Sequence, residues 1–270
     1  MPDPSAVDAA VAVFADLREE GRELEALVGE LPAADWARPT PAAGWSIAHQ
    51  IAHLHWTDRA SLLSLTDATG FGLMVEEALK APDSFVDEGA EEGAALPPAE
   101  LLVRWRATRA ALDEALAAAS PDTRFPWYGP PMKAASMASA RLMETWAHGQ
   151  DVADALGVRR TPTVRLRHVA RIGVRARDYA HAVRGLPAPA EEFRVELTAP
   201  DGAGVWTYGP PDAPQRITGP ALDFCLLVTQ RAHRADLALT AIGPDADRWL
   251  DIAQAFAGPA GTGRKPGAAR

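Results

Sequence analysis

Cysteine is nearly absent from this sequence of 270 residues, which contains only Cys225. A single cysteine cannot form a disulfide within the chain, so apolar packing must hold the fold together. Cys225 lies in the apolar stretch ALDFCLLVTQ, which predicts a buried thiol that behaves as a small hydrophobic side chain. No neighbouring histidine or helix start is evident to activate it. We therefore expect any thiol chemistry to use a thiol supplied from outside.

An excess of basic residues and a long apolar run are also missing. The chain has 27 Lys and Arg against 36 Asp and Glu, a net charge of -9, so nucleic acid is not expected as a partner. No apolar run reaches the roughly 18 residues of a membrane-spanning helix, and the N-terminal sequence lacks the basic and apolar regions of a secretory signal. These absences predict a cytoplasmic protein with no membrane partner.

Apolar residues are plentiful, at 47%, and in the first 160 residues they recur with the period of an amphipathic helix. The pattern predicts four long helices, over residues 6–30, 45–68, 98–119 and 133–156, and a short extra helix at FGLMVEEALK. This arrangement predicts an all-α four-helix bundle. The acidic stretch KAPDSFVDEGAEEGAALPP is expected to be a connection. SPDTRFPWYGPPM is expected to be an ordered loop that can wall a pocket.

The pattern changes after residue 160. One helix is predicted over residues 163–183, followed by a hairpin in which FRVELTA and VWTYG alternate in polarity around PDGAG. Two strand-then-helix pairs follow, the first with Pro220 at the first helical position. We therefore predict a helical domain over residues 1–160, a small α+β C-terminal domain over 161–258 and a disordered tail over 259–270.

Candidate chemistry lies on the fourth predicted helix. Glu144 and His148 stand one turn apart there, so their side chains project side by side. Asp151 is expected to accept a hydrogen bond from the second ring nitrogen of His148 and to hold the ring. The second predicted helix contains AHQIAHLHW, with His49 and His53 also one turn apart. Facing helices of a bundle can gather such side chains at one point.

Two histidines and one carboxylate form a ligand set found at catalytic zinc and at non-haem iron sites. His53, Glu144 and His148 would supply this set and leave one coordination position open, which catalysis requires. Plainer roles also fit the spacing. Glu144 can form an ion pair with Arg141, and a core histidine can donate to a backbone carbonyl. His49 fits either an acid or base beside the ligands or a simple packing residue.

At these residues the sequence resembles the DinB-like metal-binding family, and within it the actinobacterial branch that contains mycothiol-dependent maleylpyruvate isomerase. Two motifs carry the resemblance in the helical part, GWSIAHQIAHL at residues 44–54 and ETWAHGQDVADALG at residues 144–157. The C-terminal stretches VELTAPDGAGVW, ITGPALDFCLLVTQR and LALTAIGPDADRWL also match. The resemblance extends over nearly the whole chain.

The resemblance implies a divalent metal, zinc in the first place, bound by His53, Glu144 and His148 with water in the open position. It also implies mycothiol, a low-molecular-weight thiol, as cosubstrate. An arginine that binds a substrate anion is implied at Arg231, although Gln230 precedes it where the resemblance leads us to expect glycine. The candidate contacts for the thiol or the substrate are Arg231, Trp45, Trp127 and Tyr128.

Two functions fit these residues. The first is a metal-dependent enzyme that adds mycothiol to a small electrophilic substrate, in isomerisation or S-transfer. Its reacting group would be a metal-bound water or thiolate, with no protein nucleophile. The second is a non-catalytic metal-binding bundle whose C-terminal module binds a small ligand or a partner protein. An open coordination position favours the first and a fourth protein ligand the second. The sequence leaves the oligomeric state open.

Overall fold

The computed structural model describes residues 4–82 and 84–267. By internal contacts the chain divides into two compact units, residues 1–158 and residues 159–270. Within the described residues, no helix combines the length and the apolar character needed to span a membrane.

The first unit is helical. Its helices are α1 (Pro4–Val28), α2 (Ile47–Thr66), α3 (Ala68–Lys80), α4 (Phe85–Ala94), α5 (Pro98–Ala118) and α6 (Ala134–Leu156). The four long helices, α1, α2, α5 and α6, lie within about two residues of the predicted bounds and pack against one another. The extra helix predicted at FGLMVEEALK is α3. Between α5 and α6, the predicted ordered loop contains a short antiparallel ribbon of β1 (Arg124–Phe125) and β2 (Met132–Lys133).

The fourth helix, α4, lies in the acidic connection to which the sequence assigned no helix. Its two glycines, one turn apart, allow it to pack closely on α2. A Cβ at Gly93 would lie 2.7 Å from the Cβ of Ala52, and one at Gly89 would lie 3.0 Å from the indole of Trp56. This packing compensates for the low helix propensity of glycine. The described part of the first unit therefore contains six α-helices, rather than the four of the predicted bundle.

The core of the first unit is apolar and gathers side chains from four of its helices. Its fully buried members include Leu24, Ile47, Ile51, Leu54, Leu101, Trp105 and Val152. These residues recur one turn apart on α2, as an amphipathic helix requires. The core therefore fixes the face of α2 that is turned inward, and with it the direction of the histidines between the apolar positions.

One ion pair lies inside the helical unit. The Nε of Arg141 donates to the Oδ1 of Asp58 at 2.9 Å, and both side chains are buried. Burial raises the pKa of Asp58, and the neighbouring Arg141 opposes that rise. Because Arg141 is turned toward Asp58, the ion pair with Glu144 that the spacing allowed is not formed among the described residues.

The second unit combines helices with a four-stranded sheet. Its elements are α7 (Leu166–Arg175), α8 (Arg177–Ala182), β3 (Arg194–Thr198), β4 (Val205–Tyr208), β5 (Arg216–Pro220), α9 (Ala221–Val228), β6 (Thr240–Ile242) and α10 (Pro244–Ile252). The strand order is β4-β3-β5-β6. The predicted hairpin is present as the antiparallel pair β3 and β4, while β5 lies parallel to β3. Both predicted strand-then-helix pairs are also present.

Two details of the second unit differ from expectation. The single helix predicted over residues 163–183 is interrupted at Ala176, whose φ of -85° and ψ of 4° depart from helical values. After this break, the guanidinium of Arg177 donates to the carbonyls of Pro189 and Glu191. Pro220 is the residue before α9 rather than its first residue, because β5 continues through it.

Hydrogen bonds are also present in the segment for which composition predicts disorder. Tyr179 accepts a hydrogen bond from the amide of Gly258 and donates to its carbonyl, both at 2.8 Å. The amide of Gly261 donates to the Oε1 of Gln254 at 3.0 Å, and the amide of Gly267 donates to the carboxylate of Asp236. These hydrogen bonds give residues 259–267 fixed neighbours, and residues 268–270 lie outside the described residues.

The buried ion pair predicts a large loss of stability when one partner is removed. Asp58→Ala leaves the guanidinium of Arg141 buried without its counter-charge, so we expect the free energy of unfolding to fall by about 3 to 5 kcal/mol. The matched control is Asp113→Ala, which removes a partly exposed pair with Arg18 and should cost about 1 kcal/mol or less. Urea denaturation of both variants measures the difference. Equal losses would contradict this account of the pair.

Candidate metal centre

Helices α2 and α6 bring His53, Glu144 and His148 together. The Oε2 of Glu144 lies 3.4 Å from the Nε2 of His53 and 3.2 Å from the Nε2 of His148. One potential ligand atom from each residue lies within 4.8 Å of the other two. The i,i+4 spacing of Glu144 and His148 places both on one face of α6, and the apolar core of α2 turns His53 toward them. The three residues nominated from the sequence therefore meet at one point.

A chain of hydrogen bonds fixes the proton on His148. The hydroxyl of Thr40 donates to the carbonyl of Trp45 at 2.8 Å, so it accepts from the Nε2 of Gln50, also at 2.8 Å. The Oε1 of Gln50 then faces the Nδ1 of His148 at 2.5 Å. An amide oxygen can only accept, so Nδ1 carries a proton. In the neutral ring, Nε2 therefore presents a lone pair toward Glu144.

Glu144 is ionised in these surroundings. Burial would raise the pKa of its carboxyl, but the contacts with His148 and His53 outweigh burial and hold that pKa well below its usual range. Each contact lowers that pKa only when the imidazole Nε2 carries a proton toward the carboxylate; with the proton of His148 on Nδ1 alone, the carboxylate oxygen faces a lone pair instead. Two acceptors at this separation repel one another unless a positive charge, either a proton or a metal ion, lies between them.

Two distances in the cluster are compatible with a bound metal ion. Charge-assisted hydrogen bonds between nitrogen and oxygen are about 2.7 to 2.9 Å long, whereas the two contacts of Glu144 measure 3.2 and 3.4 Å. Zinc bonds of about 2.0 to 2.1 Å in a tetrahedron place neighbouring ligand atoms about 3.3 to 3.4 Å apart. The Nδ1 of His53 is buried and has no hydrogen-bond partner among the described residues. The donor set fits a divalent cation such as zinc.

The cluster contains three potential ligands. Among the described residues, the group that could hold an ion consists of His53, Glu144 and His148, with no fourth histidine, cysteine or carboxylate. Structural zinc sites are closed by four protein ligands, and catalytic sites keep one position open. The composition of the cluster is therefore that of an open site.

Tryptophans cover two sides of the cluster. The Trp45 ring lies 5.3 Å from the ring of His53 and stacks on His148 at 5.9 Å, with an angle of 22° between the planes. Its Nε1 donates to Asp87 of α4 at 3.0 Å. Trp56 stacks on His53 at 6.3 Å. These rings limit the rotation of both histidines and exclude water from their faces.

The two aromatic residues of the α5–α6 loop extend this wall. Tyr128 stacks on Trp56 at 6.3 Å and lies 5.9 Å from the ring of Phe85. Trp127 is one layer further away, stacked on Phe71 at 5.8 Å. Burial raises the pKa of Tyr128 to about 12, so its hydroxyl is protonated at neutral pH. Tyr128 thus belongs to the aromatic surface around the cluster, whereas Trp127 supports it from behind.

His49 lies beside the cluster but uses its nitrogens elsewhere. Its Nδ1 accepts from the amide of Ser46 at 3.2 Å in a capping box at the start of α2, and its Nε2 lies 2.7 Å from Glu91 of α4. His49 therefore joins α2 to α4, a role that neither sequence alternative described.

Gln50 takes the place at His148 that the sequence assigned to Asp151. Asp151 is buried on α6, but the Nδ1 of His148 is bonded to Gln50 on the facing helix α2. Spacing within one helix reveals only neighbours on that helix, so a partner across the bundle escaped the analysis. The available signal was a glutamine three residues before His53, on the face of α2 that is otherwise apolar.

Arg231 lies in the second unit, where its Nη1 donates to the carbonyl of Thr229 at 2.7 Å. The backbone conformation of the preceding residue, Gln230, accounts for the glycine that the resemblance leads us to expect at that position. Gln230 has a φ of 59°, and the amides of Gln230 and Arg231 donate to the carbonyls of Leu227 and Leu226. These bonds form the Schellman motif that ends α9, in which glycine is favoured at the left-handed position. The role of Arg231 stays a prediction.

Cys225 is buried in α9, as its apolar surroundings predict. Its Sγ lies 3.5 Å from the carbonyl of Leu166, and burial raises the pKa of the thiol far above its usual range. The thiol is therefore protonated at neutral pH and is not a nucleophile.

Comparison with known families agrees with this geometry. The profile of the mycothiol maleylpyruvate isomerase N-terminal domain family matches residues 17–153, which include all three residues of the cluster. The chain belongs to this family. The resemblance found in the sequence, to the DinB-like proteins of the mycothiol-dependent isomerase branch, is thereby confirmed. A second profile, described as wyosine base formation, matches residues 189–241 in the second unit.

Relatives and solved structures extend the comparison to most of the chain. Two uncharacterised proteins of Mycobacterium tuberculosis, from strains CDC 1551 and H37Rv, are each 59% identical over 250 residues, covering 93% of this chain and 97% of theirs. The crystal structure of the mycothiol-dependent maleylpyruvate isomerase matches with a TM-score of 0.60 at 17% identity, and that of its histidine-to-alanine mutant with 0.59 at 20%. Each match covers 88% of this chain and 95% of the other. At this identity, the likeness shows a shared fold.

Gln50 is predicted to support metal binding without touching the metal. Gln50→Leu removes the acceptor at the Nδ1 of His148, so the imidazole loses its fixed proton and orientation. We expect zinc affinity, measured by competition with a chromophoric chelator, to fall about 10- to 100-fold. Gln50→Glu keeps an acceptor and should retain more affinity. Gln150→Leu, on α6 with its amide turned to Asp154, is the matched control. Unchanged affinity in Gln50→Leu would refute the supporting role.

Proposed function

We propose that this protein is a metal-dependent enzyme that uses a low-molecular-weight thiol, mycothiol, as cosubstrate. The observation that carries the proposal is the cluster of His53, Glu144 and His148, whose potential ligand atoms lie within 4.8 Å of one another and whose three ligands would leave one position open. Membership of the mycothiol maleylpyruvate isomerase N-terminal domain family supports the choice of thiol. Zinc is the proposed metal, because it prefers nitrogen and carboxylate ligands in this number.

A bound divalent cation supplies Lewis-acid chemistry that favours the thiolate form of a thiol near neutral pH. The residues of this chain prepare the site for that chemistry. Gln50 keeps the proton of His148 on Nδ1, and Glu144 contributes one negative charge. Two neutral imidazoles and one carboxylate would contribute a single negative charge, so a divalent cation held by them would keep a net positive charge.

The aromatic surface gives the proposed reaction a partly apolar environment. Trp45 and Trp56 cover the ligand histidines, and Tyr128 continues the wall beyond Trp56. Such a wall excludes water from the thiolate and packs against the electrophile. Cys225 cannot replace the external thiol, because it is buried and protonated. We propose addition of the thiol to a small electrophilic substrate, either in isomerisation or in S-transfer.

Further parts of the proposal rest on the resemblance. Arg231 is proposed to bind an anionic group of the substrate through its guanidinium, which suits a carboxylate. Trp45, Trp127 and Tyr128 are proposed contacts for the thiol or the substrate, and Asp151 a support of the site. A cytoplasmic location also belongs to the proposal. Three protein ligands, rather than four, weigh against the alternative of a metal that only fastens the helices.

Loss of a ligand should remove the metal while the fold remains. In His148→Ala, we expect zinc content after gel filtration to fall from about one equivalent to about one tenth of that or less, because two remaining ligands bind weakly. Elemental analysis measures the zinc, and circular dichroism verifies the helices. His49→Gln is the matched control, because His49 faces Glu91 and should leave the zinc in place. Full occupancy in His148→Ala would exclude α6 from the ligand set.

Thiol binding should be visible on the metal. In the cobalt-substituted protein, mycothiol should produce a sulfur-to-cobalt charge-transfer band in the near ultraviolet, because a coordinating thiol is deprotonated. S-methyl mycothiol has the same sugar and acyl groups but cannot form a thiolate, so it serves as the control without a band. An unchanged spectrum with mycothiol would reject this thiol as the cosubstrate while leaving the metal site intact.

A further inference from the structure

The second unit contains a polar cavity whose lining includes Gln230 and Ala232, the two neighbours of Arg231. Its volume is about 330 Å³, at the lower end of the range for small-molecule sites. The residues that matter here are Arg184, Gln230, His233, Arg234, Gly261 and Arg264. All of them belong to the second unit, so the cavity is defined without reference to the first. Its lining contains three arginines and His233 beside one carboxylate, that of Asp251, although the whole chain carries a net charge of -9.

Arg184 is a guanidinium without an acidic partner. Its Nη1 donates to the carbonyl of Ala180 and its Nη2 to that of Gly261, both at 3.1 Å. Among the described residues it forms no ion pair with a carboxylate, and burial lowers its pKa. Three of its five N–H groups remain unused by these bonds. A partly buried positive charge with spare donors gains stability when an anion approaches.

His233 adds a second donor to the cavity. The amide of Ala235 donates to the Nδ1 of His233 at 3.1 Å, so in the neutral ring the proton resides on Nε2. That Nε2–H can donate to a ligand. The neighbouring Arg234 differs from Arg184, because Asp247 and Asp251 neutralise its charge. The uncompensated charge of the cavity therefore centres on Arg184.

One wall of the cavity is formed by a segment around Gly261 whose backbone is held by several hydrogen bonds. The side-chain amide of buried Gln254 donates to the carbonyl of Pro259 and accepts from the amide of Gly261. Tyr179 holds Gly258 through two hydrogen bonds. Gly261 lies against Gln230, since a Cβ there would come within 2.1 Å of the Oε1 of Gln230. The carbonyl that orients Arg184 is thus part of an anchored backbone.

We propose that this cavity binds an oxyanion group, phosphoryl or carboxylate, of a small molecule, with Arg184 and the Nε2–H of His233 as donors. The guanidinium fork suits the paired oxygens of either group. The cavity volume leaves room for a small organic residue beside the anionic group. The proposal rests on residues of the second unit alone.

The test is calorimetric titration of the zinc-loaded full-length protein with inorganic phosphate and, separately, with malonate, at constant ionic strength. We expect saturable binding of at least one anion, with a dissociation constant on the order of 1 mM. Arg184→Gln should weaken it by about tenfold or more, equivalent to about 1.4 kcal/mol. Arg184→Lys, which keeps the charge without the fork, should have a smaller effect. The two anions distinguish a phosphoryl site from a carboxylate site.

Two controls connect the binding to this cavity. Arg216→Gln removes a guanidinium of the same unit that is paired with Glu196 outside the cavity, and should leave the affinity unchanged within about twofold. His148→Ala removes the metal site, so binding that persists there is independent of a metal-bound anion. In NMR spectra of wild type, the amides of Gly261 and Gly263 should shift on titration. Absence of saturable binding, or equal affinity in Arg184→Gln and wild type, would overturn the proposal.

Discussion

The helical unit depends on one constraint, which is that the ionised carboxylate of Glu144 lies against the imidazoles of His53 and His148. A carboxylate taken out of water is costly unless a positive charge balances it. Glu144 is partly buried between His53 and His148. A proton on the Nε2 of His148 would be the simplest balancing charge, but Gln50 holds that proton on Nδ1, the ring nitrogen farther from Glu144. A cation held between the three side chains would satisfy all of them at once, and it would link α2 to α6.

Helix α4 adds two further carboxylates near the candidate metal cluster. Its Asp87 accepts from Trp45, and its Glu91 meets His49, so two carboxylates stand next to residues that touch or flank the ligands. Their negative potential favours a cation in the cluster and opposes its loss, although solvent screens the exposed Glu91. The close approach of α4 depends on Gly89 and Gly93, whose missing side chains let its backbone lie on Trp56 and Ala52. The two glycines lower the helix propensity of this segment, and the same two glycines allow α4 to pack closely on α2.

The sequence was sufficient for features that depend on local periodicity. The long helices, the hairpin of β3 and β4, and the i,i+4 pair of Glu144 and His148 all follow from spacing along one element. The sequence was not sufficient where the hydrogen-bond or ion-pair partner of a side chain lies on another helix. Gln50 rather than Asp151 orients His148, and Asp58 rather than Glu144 binds Arg141. Spacing shows which side chains share a face, but only the packing of helices determines what that face meets.

The glutamine at position 230 is a further case in which contacts between elements matter. The hydrogen bonds that end α9 impose a left-handed backbone at Gln230, where a residue with a Cβ is strained by about 1 to 2 kcal/mol. Glycine would avoid that cost, which is why the resemblance leads us to expect it. A glutamine compensates in part, because its amide donates to the carbonyl of Ala253 and its Oε1 packs on Gly261. Glycine could form neither contact. Gln230 therefore attaches the end of α9 to the segment whose carbonyl orients Arg184.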